Sequence, residues 1–388
     1  MDKIVEKDKS FVAGTYARFD LHIVGGKGSI AYGADGKEYI DLGAGIAVNT
    51  FGYCDETFNK AVIAQLNAFQ HTSNLYYQEP CAALAERLCK VSGLKKVFFG
   101  NSGAEANECA IKVARKYAHD RFCGERSVII TLKNSFHGRT LTTLSATGQD
   151  VFHKNFQPFT PGFLHTEAND LAALNKLVEE NEVAGIMIEC VQGEGGVNAL
   201  DKDFVCGIER ICKEKDIVFI VDEVQTGNGR CGKYFCYQNF GVTPDVVTTA
   251  KGLGGGLPIG ACIMGEKVEN VLGFGDHGST FGGNPVCCAG AISVIDRIDD
   301  ALLKEVNEKS EFIKNFFKGK KGVESVTGLG LMLGIKTVKP AKEVVKACME
   351  RGVMPLTAKD KIRLLPALNI PWELLEKAVD VIAGVCGE

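Results

Sequence analysis

The sequence predicts an α/β fold: a large domain with a mostly parallel central sheet covered by helices, and a smaller α+β domain. Three observations carry this. Apolar runs without alternation, such as Val128-Ile-Ile-Thr-Leu and Ile217-Val-Phe-Ile-Val, read as strands buried on both faces. Segments of helical period separate them; in residues 104–118, Ala106, Ala110, Val113 and Ala114 share one face. The two patterns then alternate, as parallel strands joined by crossover helices require.

The elements follow in order. Residues 24–41 read as a hairpin around Ala34-Asp35-Gly36. Helices are expected over 55–69 and 80–91, the second stopped by Gly93. From residue 95 come a strand at 97–99, the helix 104–118, a strand at 128–132, a helix at 169–180 and a strand at 183–189. A helix at 204–215 and strands at 217–221, 246–250 and 259–264 complete the large sheet. Beyond Pro285 the chain turns helix-rich, with helices at 286–298, 300–317, 341–351 and 371–383 and strands near 330–336 and 361–365. The expected division is 1–50 as an N-terminal segment packing with the small domain, 51–280 as the large domain carrying the ligand, and 281–388 as the small domain.

Composition excludes several function classes. The chain has 388 residues, 45% hydrophobic and 24% charged, the balance of an ordinary globular protein. A net charge of −4 without a long basic run gives nucleic acid no electrostatic footing. The charged start lacks the apolar core of a signal peptide, and no apolar stretch reaches the ~20 residues that span a bilayer. A cytoplasmic location is expected, without membrane or nucleic-acid partners. Fifteen cysteines are scattered from Cys54 to Cys386 with no C-x-x-C. They read as small buried hydrophobes, Cys109 and Cys212 among them, rather than as a disulfide framework. The seven histidines show no ligand spacing, so no metal site is expected.

Five loops at strand ends hold groups with chemistry. In Phe99-Gly-Asn-Ser102-Gly103-Ala-Glu105, a strand enters a small-residue turn that opens a helix. That makes either a phosphate cradle or a helix cap with Ser102 and Glu105 as a capping box. In Asn134-Ser-Phe136-His137-Gly138-Arg139, the aromatic could stack on a flat ring and Arg139 could fork onto a carboxylate; a core Phe beside a surface Arg is the plain alternative. His137 ranks below Lys251 as an acid or base, because no partner lies near it in sequence. In Glu189-Cys-Val-Gln-Gly-Glu194-Gly-Gly, a carboxylate cushioned by glycines could pair with an arginine or simply sit in a solvated turn.

The remaining two loops matter most. Asp222 ends a buried strand and needs a partner, either a ligand cation or a basic residue of the core. Lys251, in Ala250-Lys-Gly-Leu-Gly-Gly-Gly, follows another buried strand and enters glycines that let backbone approach a bulky ligand. It is either a desolvated nucleophile or a solvated loop lysine. An amine for a Schiff base and an anion for a pyridinium nitrogen are what pyridoxal phosphate requires. Gly227-Asn-Gly229-Arg-Cys-Gly232 and Gly273-Phe-Gly275-Asp-His-Gly278 match a dinucleotide fingerprint only by spacing, since neither joins a strand to a helix.

Six stretches, in order over residues 20–385, resemble the class III, fold-type I aminotransferases that use pyridoxal 5′-phosphate. They are Asn101-Ser-Gly-Ala-Glu-Ala-Asn, Phe136-His-Gly-Arg, Gln192-Gly-Glu-Gly-Gly, Val221-Asp-Glu-Val-Gln-Thr-Gly, Ala250-Lys-Gly-Leu-Gly-Gly-Gly and Gly278-Ser-Thr-Phe-Gly-Gly-Asn-Pro. The resemblance implies Lys251 and Asp222 as catalytic residues. It implies a cofactor site of Ser102, Gly103, Phe136, Asp222, Glu223, Val224, Gln225, Lys251 and Thr280, with Gln225 on the ring hydroxyl and Thr280 reaching the neighbouring subunit of a homodimer. Arg139, assisted by Ser279 of the other chain, would clamp the substrate carboxylate, and Glu194 would neutralise Arg363. The implied reaction moves the δ-amine of N-acetylornithine to 2-oxoglutarate, giving glutamate. N-succinyl-diaminopimelate is a second candidate donor, with 4-aminobutyrate or free ornithine as alternatives. A phosphate- or nucleotide-binding α/β protein without catalysis is the reading from a different class. Ile46 stands where ornithine enzymes of the class carry tyrosine. Gly52-Tyr53-Cys54-Asp55-Glu56 departs from the common Gly-His-x-His-Pro, without an explanation in the sequence.

Overall fold

The computed structural model describes residues 3–388. Its centre is a seven-stranded sheet in the order Lys96–Gly100, Gly260–Met264, Val246–Thr249, Val218–Asp222, Val183–Ile188, Val128–Leu132, Phe163–Thr166. The apolar runs lack alternation because both faces are covered. On Val218–Asp222, Val218 and Ile220 join the apolar cluster under the helix Gly103–Arg121, while Phe219 and Val221 join the cluster on the opposite face. Neighbouring strands from Val246–Thr249 to Phe163–Thr166 pair in parallel. Gly260–Met264 alone runs against the rest. Its buried apolar run has the same pattern as a parallel strand, so direction could not be read from it.

Two four-stranded sheets and a two-stranded ribbon, Val191–Gln192 with Asn198–Ala199, accompany this core. The strands Val323–Leu329, Met332–Thr337, Lys361–Leu364 and Leu356–Ala358 form an antiparallel sheet. Near the N-terminus, Ile30–Gly33 and Glu38–Asp41 make the expected hairpin, and Ile23–Lys27 adds a further strand outside it. Val353–Met354 pairs in parallel with Glu38–Asp41. Ile40 and Leu42 accordingly share an apolar cluster with Val306, Leu333 and Val379 from late in the chain. The strands Phe163–Thr166 and Val323–Leu329 were not expected: one is a short half-buried edge, the other mixes polar and apolar residues with no buried position.

Helix ends follow local chemistry. Asp55 caps Glu56–Ala68 by accepting from Phe58 N, and Gly93 ends Glu79–Ser92 at φ 74°. Most cysteines are buried, and none is bridged. No helix among the described residues is long and apolar enough to cross a membrane.

The antiparallel strand brings Gly260 against the residue that opens the next helix. A Cβ there would sit 2.2 Å from the Ser102 carbonyl oxygen. Gly260→Ala should therefore lower stability by about 1–3 kcal/mol through overpacking. Gly14→Ala, with open space around it, should be near neutral; equal urea midpoints for the two variants would contradict this.

Candidate active site

The C-terminal ends of the parallel strands open into a cavity of about 610 Å³. Parallel pairing sets Asp222 beside Thr248 on the neighbouring strand, and the chain continues from there through Ala250 to Lys251. Both Asp222 and Lys251 line the cavity. Lys251 adopts φ 45°, a left-handed conformation that costs a non-glycine residue about 1–2 kcal/mol. Strain of this kind persists only where surrounding structure fixes it. The Thr50 hydroxyl donates to the Gly252 carbonyl at 2.8 Å just beyond. Burial lowers the Lys251 ammonium pKa from its usual value, against the opposing charges of Glu194 and Asp222.

The partner of Asp222 within the chain is neither lysine nor arginine. Its Oδ2 accepts from His137 Nδ1 and from Asn107 Nδ2, both at 2.8 Å, and its Oδ1 accepts from Val224 N at 3.0 Å. Burial alone would lower the His137 pKa, but the hydrogen bond and charge of Asp222 outweigh it and raise the value. His137 Nε2 is buried without a partner.

At the helix opening, Ser102 Oγ accepts from Glu105 N at 3.2 Å. Glu105 reaches back to Asn101, not to Ser102 N, so the capping box does not close on its expected atom. The N–H groups of Gly103 and Ala104 find no acceptor among the described residues, and both residues line the cavity. A Cβ on Gly103 would meet Val224 Cγ1 at 2.6 Å. Free N–H groups at a helix start suit a phosphate. With Asp222, Lys251 and half-buried Phe136 on the same wall, the residues fit pyridoxal phosphate.

Arg139 stands near the rings of Phe152 and Phe136, at 4.2 and 5.5 Å, and makes no ion pair with a described residue. Arg363 does the opposite. Its Nη1 meets Glu194 Oε1 at 2.5 Å and Gln225 Oε1 at 3.2 Å. Burial would raise the Glu194 pKa, yet the Arg363 charge prevails and lowers it.

Five expected residues do not line the cavity of this chain. Two of them, Glu194 and Arg363, pair with each other and meet its lining through Gln225. Glu223 follows Asp222 and faces the other way, so its carboxylate takes Tyr237 N at 2.8 Å and the Thr226 hydroxyl at 2.6 Å inside the core. Ser279 bonds Asn101 and Gly282, and Thr280 is exposed. Residues without an assigned role also line the cavity: Tyr16, Asn107 and Glu189, together with His137, which ranked below Lys251 on sequence. His137 and Asp222 lie 85 positions apart, which spacing could not connect. Tyr16 comes from an exposed segment with no pattern to mark it.

The unusual stretch after Gly52 has a structural role. Asp55 caps its helix and pairs with Arg297 at 2.9 Å, while Tyr53 exchanges backbone bonds with Gly28. Nearby, Ala44, Gly45, Ile46 and Ala47 all take positive φ, a strained turn that leads to Val48 in the cavity wall.

Burial pushes the Glu189 carboxyl up to about 7, while Phe136 N donates to it at 3.0 Å. A raised carboxyl means the folded state holds a proton the unfolded chain has lost, so stability falls as pH climbs from about 4.5 to 7. In the cofactor-free protein, Glu189→Gln should gain melting temperature over the parent between pH 5 and pH 8. A constant difference across that range would contradict the assignment.

The comparisons with known proteins agree with this geometry. The family model for class-III aminotransferases matches residues 11–385. An acetylornithine aminotransferase of Haemophilus ducreyi is 50% identical, covering 100% of this chain and 99% of its own. A succinylornithine transaminase of Salmonella paratyphi A is 41% identical over 98% of this chain and 96% of its own. Among solved structures, the ornithine aminotransferase of Toxoplasma gondii superposes with a TM-score of 0.95 at 29% identity, covering 100% of this chain and 94% of that one. The chain belongs to the class-III aminotransferase family, and its cofactor is pyridoxal 5′-phosphate.

Proposed function

We propose that this protein transfers the δ-amino group of N2-acetyl-L-ornithine to 2-oxoglutarate, giving N-acetylglutamate 5-semialdehyde and glutamate. The observation that carries the reading is the contrast between two arginines. Arg363 is neutralised by Glu194, whereas Arg139 is left without an anion. A donor reacting through its ω-amine brings one free carboxylate and none at the reacting carbon. It therefore needs one open cation at a distance and a silenced one close by.

When bound, pyridoxal phosphate supplies the carbonyl that takes up an amino group and the ring that spreads the resulting electron pair. The protein does the rest. Lys251 Nζ, its pKa lowered by burial, accepts and returns the proton at the substrate carbon. Asp222 would hold the ring nitrogen, Phe136 would pack on the ring, and the helix opening at Ser102 and Gly103 would take the phosphate. Val224 and Gln225 complete that wall. Arg139 receives the donor's carboxylate. When 2-oxoglutarate enters, Glu194 gives way and Arg363 binds its α-carboxylate.

The reading extends to a homodimer. Ser279 and Thr280 do not line their own cavity, and Leu75, Tyr77, Phe274 and Phe281 are exposed apolar groups available for a second copy. Thr280 would then meet the neighbouring subunit's phosphate and Ser279 its substrate. A cytoplasmic location is part of the same proposal. So is the division into residues 1–50, 51–280 and 281–388: Ile40 and Leu42 cluster with Val306 and Val379, while Cys288, Ala291 and Val294 pack with the cluster of the large sheet.

Steady-state turnover of N-acetylornithine, N-succinylornithine, free ornithine and 4-aminobutyrate tests the assignment. The acylated donors should lead free ornithine by at least about tenfold in kcat/KM, since a free α-ammonium near Arg139 adds an unpaired charge, and should also exceed 4-aminobutyrate, which lacks the acylamino group to bind. Preference for free ornithine or 4-aminobutyrate would overturn it. Glu194→Ala should leave Arg363 open and raise the ratio of glutamate to acetylornithine as donors by about tenfold or more. An unchanged ratio would remove the pairing from the account.

A further inference from the structure

Asn107 belongs to none of the roles above, yet its buried amide makes three hydrogen bonds beside the cavity. It is 1% exposed on the buried face of the helix Gly103–Arg121. Its Nδ2 donates to Asp222 Oδ2 at 2.8 Å and to the His137 carbonyl at 2.7 Å. Its Oδ1 accepts from the Thr248 hydroxyl at 2.6 Å. Thr248, fully buried, sits beside Asp222 across the parallel strand pair.

These bonds define the amide's direction. A flipped Asn107 would point its oxygen at a carboxylate and a carbonyl, acceptor against acceptor, and its NH2 at the hydroxyl. The Thr248 hydroxyl has no such freedom once it donates to Oδ1. Asp222 Oδ2 is thereby engaged by two side-chain donors, Asn107 from the helix and His137 from the loop. Oδ1 has only the backbone donor of Val224, so the carboxylate's remaining acceptor capacity lies there.

We propose that Asn107 is a positioning residue that, oriented by Thr248, fixes the Asp222 carboxylate so that Oδ1 is the oxygen presented to the cofactor's ring nitrogen. The proposal rests on the cofactor site described above and adds to it a support three bonds deep: hydroxyl to amide, amide to carboxylate, carboxylate to ring. His137 alone holds Oδ2 from one side; the second donor prevents rotation about the remaining torsion. An amide performs this task without adding a charge to a buried site.

The test compares two ligands for the cofactor-free full-length protein: pyridoxal phosphate and its analogue with carbon in place of the ring nitrogen. Both present the same phosphate and aldehyde, and only one can bond Asp222. Dissociation constants are read by fluorescence quenching in the parent, Asn107→Leu, Thr248→Val and Thr248→Ser. Asn107→Leu should weaken pyridoxal phosphate by about tenfold or more while leaving the carbon analogue within about twofold of the parent. Thr248→Val, which keeps the shape and removes one donor, should lose part of the same discrimination, and Thr248→Ser should restore what Thr248→Val loses. If Asn107→Leu does not fold, the two Thr248 variants carry the test alone. Equal losses for both ligands would reduce Asn107 to a structural bridge and overturn the proposal, as would no loss for either. A parent that binds both ligands alike would instead overturn the Asp222 contact itself.

Discussion

The registration of two adjacent parallel strands is the constraint on which the site depends. Val218–Asp222 and Val246–Thr249 pair so that Asp222 lies beside Thr248, and both chains then leave the sheet at the same edge. One delivers a carboxylate and the other, two residues past its last sheet residue, delivers Lys251. Neither group needs a flexible loop to find its place, because hydrogen bonds between strands fix the spacing. The cost appears locally, in the left-handed backbone at Lys251 and in a carboxylate that must be satisfied at 4% exposure.

That cost is met by polar groups gathered from separate elements. His137 arrives from the loop after Val128–Leu132, Asn107 from the helix that also supplies the open N–H groups, and Val224 from the turn after Asp222 itself. The same helix thus serves the cavity at two places: its first turn presents open N–H groups, and its second turn bonds the acid through Asn107. Glycines at 103 and 260 allow this helix start to approach both Val224 and the antiparallel strand more closely than any side chain would permit. Packing of the sheet and organisation of the cavity are the same set of contacts seen from two sides.

Much of this was legible in the sequence. The unbroken apolar runs ending at Asp222 and before Lys251 stand out because a strand buried on both faces cannot alternate, and the charged residue that ends it is conspicuous. The Glu194–Arg363 pair was accessible only through resemblance, since 169 positions separate its members. His137 was undervalued for the same reason: its partner is remote in sequence and adjacent in space. Asn107 sits inside a recognisable motif, but nothing in helical periodicity distinguishes an amide that braces an acid from one that faces solvent. Glu223 entered the site only through resemblance, yet successive residues at a strand end face opposite sides, and its carboxylate is satisfied in the core. The reversed strand Gly260–Met264 was invisible, its composition being that of its parallel neighbours.

The central claim is that the amine delivered beside Asp222 is the one that holds the cofactor. Borohydride reduction of the protein loaded with pyridoxal phosphate, followed by peptide mapping, tests it most directly. The account predicts a stable cofactor adduct on Lys251, in the peptide containing Ala250-Lys-Gly-Leu-Gly-Gly-Gly. An adduct confined to any other lysine, or none at all, would contradict it.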